Sequence, residues 1–163
     1  MSDSCKQTAV MLARYILGLE RSNPGVPRDF LELVREIYKT HKKDFRMSLI
    51  QLNRSNMEIA FVRIFQGMFK DGKCNWGRIA TLYAFTISIG SVLNKERAAG
   101  VTGHFVAENL TNWILDQGGW SRASPAYYYS WWLSVIAREI AQYSPYAACF
   151  LFSFVSWWNP GLK

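Results

Sequence analysis

Apolar residues along this chain recur at spacings of three and four, the mark of helices with one buried face, and strand-type alternation is hard to find. Leu12, Tyr15, Ile16 and Leu19 form a first stripe, with Asp3 or Ser4 placed to cap it and Asn23-Pro24-Gly25 placed to stop it. Pro27 stands where a first-turn proline belongs, and Phe30, Leu33, Val34, Ile37, His41, Phe45 and Leu49 carry a second, longer stripe. A polar break over 53–56 offers Ser55 or Asn56 as the cap of a third helix bearing Phe61, Ile64, Phe65 and Met68. Asp71-Gly72 then turns the chain, and Asn75 is placed to cap a fourth helix. Its stretch from Ile79 to Leu93 carries no charge and is apolar nearly all round. Such a helix is enclosed on every side or inserted in a membrane. Because the stretch is shorter than the ~20 residues that span a bilayer, a central core helix is expected.

A further helix is predicted over 98–116, closed by Gly118-Gly119. Pro125 and Pro145 divide the remainder. Between them Tyr127-Tyr128-Tyr129-Ser130-Trp131-Trp132-Leu133 opens a dense aromatic helix ending near Tyr143. Beyond Pro145 an apolar run over 146–158, broken only by Ser153 and Ser156, has a length more often buried or interfacial than spanning. Lys163 is a thin basic flank for a tail anchor. No internal repeat and no low-complexity linker interrupts the pattern.

Composition narrows the class. The 163 residues are 50% hydrophobic and 15% aromatic, which fits one folded domain and excludes a disordered chain. A net charge of +7 favours anionic surfaces or acidic peptides. The excess gathers at Arg35, Lys39, Lys42, Lys43, Arg46 and Arg54, against Glu36 and Asp44; a solvated helix face is the default account of such a run, ahead of a binding surface. Cys5, Cys74 and Cys149 are odd in number and scattered, so a reducing compartment is expected rather than a disulfide framework. Met1-Ser2-Asp3-Ser4 opens no secretory signal, and partners are therefore expected in the cytosol or on a membrane facing it.

Enzymatic chemistry finds no constellation. His41 and His104 lack metal-type spacing to one another or to the cysteines, and neither a glycine-rich phosphate loop nor a Gly-x-Ser-x-Gly elbow is present. The chain is read as a non-enzyme without cofactor or metal. Nucleic acid is not expected as a partner, since it would need aromatics interleaved with the basic patch, and the face of that patch is mostly polar.

Two short blocks carry the specific signal. Asp71-Gly72-Lys73-Cys74-Asn75-Trp76-Gly77-Arg78-Ile79 joins an acidic turn to a Gly-Arg pair, and Asn112-Trp113-Ile114-Leu115-Asp116-Gln117-Gly118-Gly119-Trp120 follows later in the chain. In this order they resemble the first and second homology motifs of the Bcl-2 (B-cell lymphoma 2) family of apoptosis regulators. The resemblance extends to about Trp120 and is loose beyond it. It implies an all-α bundle in which a central hydrophobic hairpin, here 75–94 and 98–116, is surrounded by amphipathic helices and leaves a surface groove. The domain is then expected over 1–145, and 146–163 as a hydrophobic tail that covers the groove, lies at an interface or anchors weakly to a membrane.

The ligand that the resemblance implies is an amphipathic death-motif helix (BH3) with apolar anchors at helical spacing and one aspartate. Arg78 is then its carboxylate partner, Gly77 allows close approach of its backbone, and Asn75 caps the helix and reaches its polar edge. Arg78 has a purely structural alternative, pairing with Asp71. Groove walls are expected from Ile37, His41, Phe45, Ile64, Met68 and Phe69, with Phe85 at the base; each is by default also an ordinary core residue. Trp76, Trp113, Gly118, Gly119 and Trp120 are expected in structural roles.

The chain departs from the family's own death motif, where a small residue precedes aspartate. Val34 and Arg35 stand at those positions. Arg35 presented to another member's groove arginine would set like charges together, so the chain is built to receive a death-motif helix rather than supply one. The resemblance thus implies an inhibitor of apoptosis that sequesters pro-apoptotic relatives by their BH3 helices, of viral or divergent animal type. It would act in the cytoplasm or at the mitochondrial outer membrane of its own or a host cell, with that membrane surface and a second copy as further candidate partners. Two alternatives stand beside it: a pore-forming effector of the same fold, and a basic helical scaffold for anionic lipid or nucleic acid.

Overall fold

A computed structural model of the chain describes residues 1–50, 52 and 56–124. In these residues the chain forms α1 (Ser2–Ile16), α2 (Arg28–Ile50), α3 (Met57–Met68), α4 (Trp76–Val92), α5 (Lys95–Asn109) and α6 (Thr111–Asp116), followed by a 3-10 turn at Trp120–Arg122. No strand occurs among the described residues, and the architecture is the all-α bundle expected. The aromatic helix and the tail predicted beyond Pro125 lie outside the described residues.

The long stripe of α2 faces inward in full register. Phe30, Leu33, Val34, Ile37, His41, Phe45 and Leu49 are all buried, as are Phe61, Ile64, Phe65 and Met68 of α3. At the centre lies α4. Ile79, Ala80, Leu82, Tyr83, Ala84 and Ile89 have no exposed surface, and Phe85 has 1%. A ring of neighbours explains why this helix can be apolar all round: α2, α5, α1 and, through its aromatic side chains, α3 pack against it. Its polar side chains find partners without leaving the core. Thr86 Oγ1 donates to the Leu82 carbonyl and meets the Thr102 hydroxyl of α5 at 2.8 Å, while the Tyr83 hydroxyl donates to the Ala9 carbonyl of α1 at 3.0 Å.

Two boundaries differ from the sequence pattern. Helix α1 begins at Ser2 with Met1 at its cap position and no side-chain cap, so neither Asp3 nor Ser4 starts it. Asp3 instead lies in the first turn, where its charge suits the helix dipole. The buried face of α1 is Cys5, Ala9, Leu12 and Ala13; Tyr15, Ile16 and Leu19 pack at the edge of the core.

The second arm of the central hairpin is not one helix over 98–116. It starts at Lys95, capped by Asn94, whose side chain accepts from the Arg97 amide at 2.8 Å. It breaks at Leu110, and α6 restarts at Thr111. Thr111 Oγ1 and Asn109 Nδ2 bond back to the carbonyls of Ala107 and Phe105, and such local bonds compete with regular helix continuation. Small residues let α1 and α5 meet closely: a Cβ built on Gly103 would stand 2.8 Å from the Val10 Cα.

Candidate functional site at the start of the central helix

The site is assembled by the turn that feeds α4. Asn75 adopts an extended backbone, and its side chain accepts the Arg78 amide at 2.9 Å, satisfying one of the donors that a helix start leaves open. This capping fixes the first turn and holds Arg78 facing back toward the loop it came from. Gly72 closes that loop with a φ of +70°, a left-handed conformation that glycine adopts without strain.

Arg78 is 1% exposed, an expensive place for a guanidinium at the positive end of a helix dipole. Acceptors on its own chain compensate. Nη1 donates to Asp71 Oδ1 at 2.6 Å, to the Lys73 carbonyl at 2.6 Å and to the Met68 carbonyl at 3.0 Å, while Nη2 donates to Asp71 Oδ2 at 2.8 Å. The planar fork therefore grips both carboxylate oxygens, the bidentate geometry that arginine provides and lysine does not. The hydrogen bonds from Arg78, helped by one from the Lys73 amide, hold the Asp71 carboxyl down at about 2. Of the two roles the sequence offers this arginine, the pairing with Asp71 is the one present in the structure.

Asp71 is the residue that a motif reading ranks too low. Its signal was nonetheless present: an Asp-Gly turn shortly before a first-turn arginine leaves little else to balance that charge. Its side chain keeps 35% of its surface exposed, so the ion pair is anchored at the arginine end and open to solvent at the carboxylate end. Beside it, burial pushes the Cys74 thiol up to about 12.

Behind this turn the two motifs meet. The Trp76 ring lies 5.2 Å from Trp113 and 5.8 Å from Trp120, and Phe30 of α2 approaches Trp76 edge-on at 5.9 Å. Trp120 is 5% exposed and also packs against Phe30 and Tyr83. Gly118 and Gly119, with φ of +91° and +81°, make the reversal that brings it there. The Trp120 indole Nε1–H then donates to the Cys5 carbonyl of α1 at 3.0 Å, a long-range link that nothing in the motif announces.

The remaining expected ligand contacts divide by exposure. Asn75, Gly77 and Phe69 are half-exposed at the end of the bundle nearest Arg78. Ile37, His41, Phe45, Ile64, Met68 and Phe85 are buried at 1–7% exposure. Phe45 and Phe61 both pack edge-on against Phe85, at 5.2 and 6.4 Å, and His41 lies 6.1 Å from Phe45 with its Nδ1 3.7 Å from Asp44 Oδ2. These side chains thus form one continuous apolar seam between α2, α3 and α4 that is covered in this structure. On the outer side of α2, Arg35 is exposed while Val34 beside it is fully buried.

A family model described as apoptosis regulator proteins of the Bcl-2 family matches residues 30–120, the span holding both motifs and the seam. Human apoptosis regulator BAX (Homo sapiens) is 37% identical over 67 residues, covering 37% of this chain and 35% of its own length. Chicken apoptosis regulator Bcl-2 (Gallus gallus) is 30% identical over 113 residues, 63% of this chain and 48% of its own length. Bovine Bcl-2-related protein A1 (Bos taurus) is 34% identical over 70 residues, 37% and 40% respectively. The chain spans between about a third and a half of these curated relatives. With the helical order, the capped Asn-Trp-Gly-Arg turn and the tryptophan junction already in place, the chain belongs to the Bcl-2 family of apoptosis regulators.

Proposed function

We propose that this apoptosis regulator acts on the survival side, holding the BH3 helix of pro-apoptotic relatives along the seam between α2, α3 and α4. One observation carries the reading. Arg78 already grips a carboxylate by both oxygens, and that carboxylate belongs to a side chain open to solvent. A ligand aspartate reaching Arg78 exchanges one carboxylate for another and leaves no buried charge uncompensated. Asn75, Gly77 and Phe69 form the half-exposed entry, and the buried seam supplies apolar pockets once the ligand helix parts its cover. The cost of parting it lowers apparent affinity by the fraction of molecules that are open.

The survival assignment rests on α2. An exposed Arg35 occupies the position at which a donor helix needs aspartate, so insertion of α2 into a relative's groove sets arginine against arginine. Relatives named apoptosis regulator include both BAX and Bcl-2, which supports regulation without giving its direction. In this reading the chain works at the cytosolic face of the mitochondrial outer membrane, as a receptor rather than a catalyst.

Calorimetric titration with synthetic BH3 helices tests the reading. The ligand aspartate changed to asparagine, with the protein untouched, is expected to cost ~2–5 kcal/mol, enough to take nanomolar binding toward micromolar. Equal affinity for both peptides would overturn the carboxylate exchange. Dye release from liposomes by the purified chain alone would instead favour the pore-forming reading.

A further inference from the structure

Apart from Arg35, the outer face of α2 has no part in the receptor reading, and it carries a dense run of exposed cations. Arg35, Lys39, Lys42, Lys43 and Arg46 are all exposed and follow one another at one, three or four positions, so they share a strip directly opposite the buried stripe. None of Lys39, Lys42, Lys43 and Arg46 enters an ion pair among the described residues. Of the acids on this helix, Glu32 is paired with Arg28, and Asp44 leans inward toward His41. Glu36 flanks the strip at its start. Like charges at three- and four-residue spacing weaken a helix, whereas a face kept only for solubility usually interleaves the signs. The strip also ends in two large apolar side chains left in water, Met47 at 43% and Ile50 at 65% exposure.

We propose that this face docks on a bilayer surface carrying anionic headgroups, with the cations over the phosphates and Met47 and Ile50 entering the headgroup boundary. From Arg35 to Ile50 the strip runs about 22 Å at 1.5 Å per residue, and all its charges meet the surface together when the helix lies flat. Complementary charge draws the face down, and the apolar end gives it a component that salt does not screen. Nucleic acid suits the strip less well. It offers nothing to Met47 and Ile50, and the aromatic ring beside the strip, Tyr38, is partly buried against the core. The inward stripe of α2 is untouched by this contact, so the proposal stands independently of the receptor reading.

Co-sedimentation of the full chain with vesicles of phosphatidylcholine, alone or mixed with phosphatidylserine, tests it. Binding is expected on the mixed vesicles only. Lys39→Gln, Lys42→Gln, Lys43→Gln and Arg46→Gln together are expected to lower partition by about two to three orders of magnitude, at roughly fivefold per cation. A control removing equal charge from exposed sites elsewhere, Lys6→Gln, Arg21→Gln, Arg63→Gln and Lys95→Gln, is expected to change it only a few-fold. Circular dichroism checks that both variants keep their helices. Ile50→Ser, which alters no charge, is expected to remove most binding that survives high salt. Equal losses in the two charge variants, or no binding to the mixed vesicles, overturn the proposal. So does a DNA duplex that binds through the same strip while vesicles do not.

Discussion

Replacing Asp71 by asparagine separates the two roles of Arg78, because it should weaken the fold and strengthen the ligand complex. In the free chain the Asp71 carboxylate is held bidentately by Arg78 at 2.6 and 2.8 Å, and its pKa falls from 3.8 to about 2. At about 1.4 kcal/mol for each pH unit, this displacement corresponds to ~2.5 kcal/mol. Solvent screening of a carboxylate that is 35% exposed brings the share felt by folding to ~1 kcal/mol. Asp71→Asn, which also leaves the buried Arg78 without its counter-ion, should therefore lower the melting temperature by at least ~2–4 °C near neutral pH. The sign with pH follows from a folded pKa depressed below the unfolded one. The contribution is complete above about 4 and is lost as pH falls toward about 2, so the two proteins should converge in stability at the acid end.

Ligand binding should move the other way. If an incoming carboxylate must displace Asp71, removing Asp71 relieves the competition and tightens binding of a BH3 helix by ~1 kcal/mol, about fivefold. The gain should vanish when the ligand aspartate is changed to asparagine, which a double-mutant cycle in the calorimeter measures. A loss of affinity in Asp71→Asn would refute the reasoning, since it would show Asp71 helping to hold the ligand rather than competing with it.

Three further outcomes follow from the packing. Phe85→Ala removes a ring that is 1% exposed and contacted edge-on by Phe45 and Phe61, and should cost ~3–5 kcal/mol in urea unfolding. Gly103→Val forces side-chain atoms into the Val10 backbone and should destabilise by ~1–3 kcal/mol in thermal unfolding; a neutral result would mean that α1 can slide on α5. With its thiol pushed up to about 12, Cys74 should be alkylated by iodoacetamide at pH 8 far more slowly than a free cysteine, as followed by peptide mass spectrometry.

Much of the fold was legible because apolar spacing and burial share a cause. The stripe from Phe30 to Leu49 is inward at every position, and Asn75 caps α4, since both depend only on residues close in sequence. What depended on competing side-chain bonds or on tertiary cover was harder to read. Leu110 interrupts the helix expected over 98–116 although periodicity continues through it. Apolar pattern likewise fails to tell a groove wall from a core: Ile37, Phe45, Ile64, Met68 and Phe85 have the same signature either way, and here they are covered. The pairing of Asp71 with Arg78 was open from the sequence as the structural alternative, and it is the need of a buried guanidinium for a counter-ion that selects it.

The junction of Trp76, Trp113 and Trp120 has an optical consequence. Indoles whose centres lie 5.2–5.8 Å apart share their electronic transitions, and their fixed tilts of 68° and 50° make that sharing chiral. The native chain therefore carries its own unlabelled reporter in the near ultraviolet. A displacement of the Arg78 turn, or of the N-terminal helix tethered to Trp120, would alter that spectrum without any change in helix content.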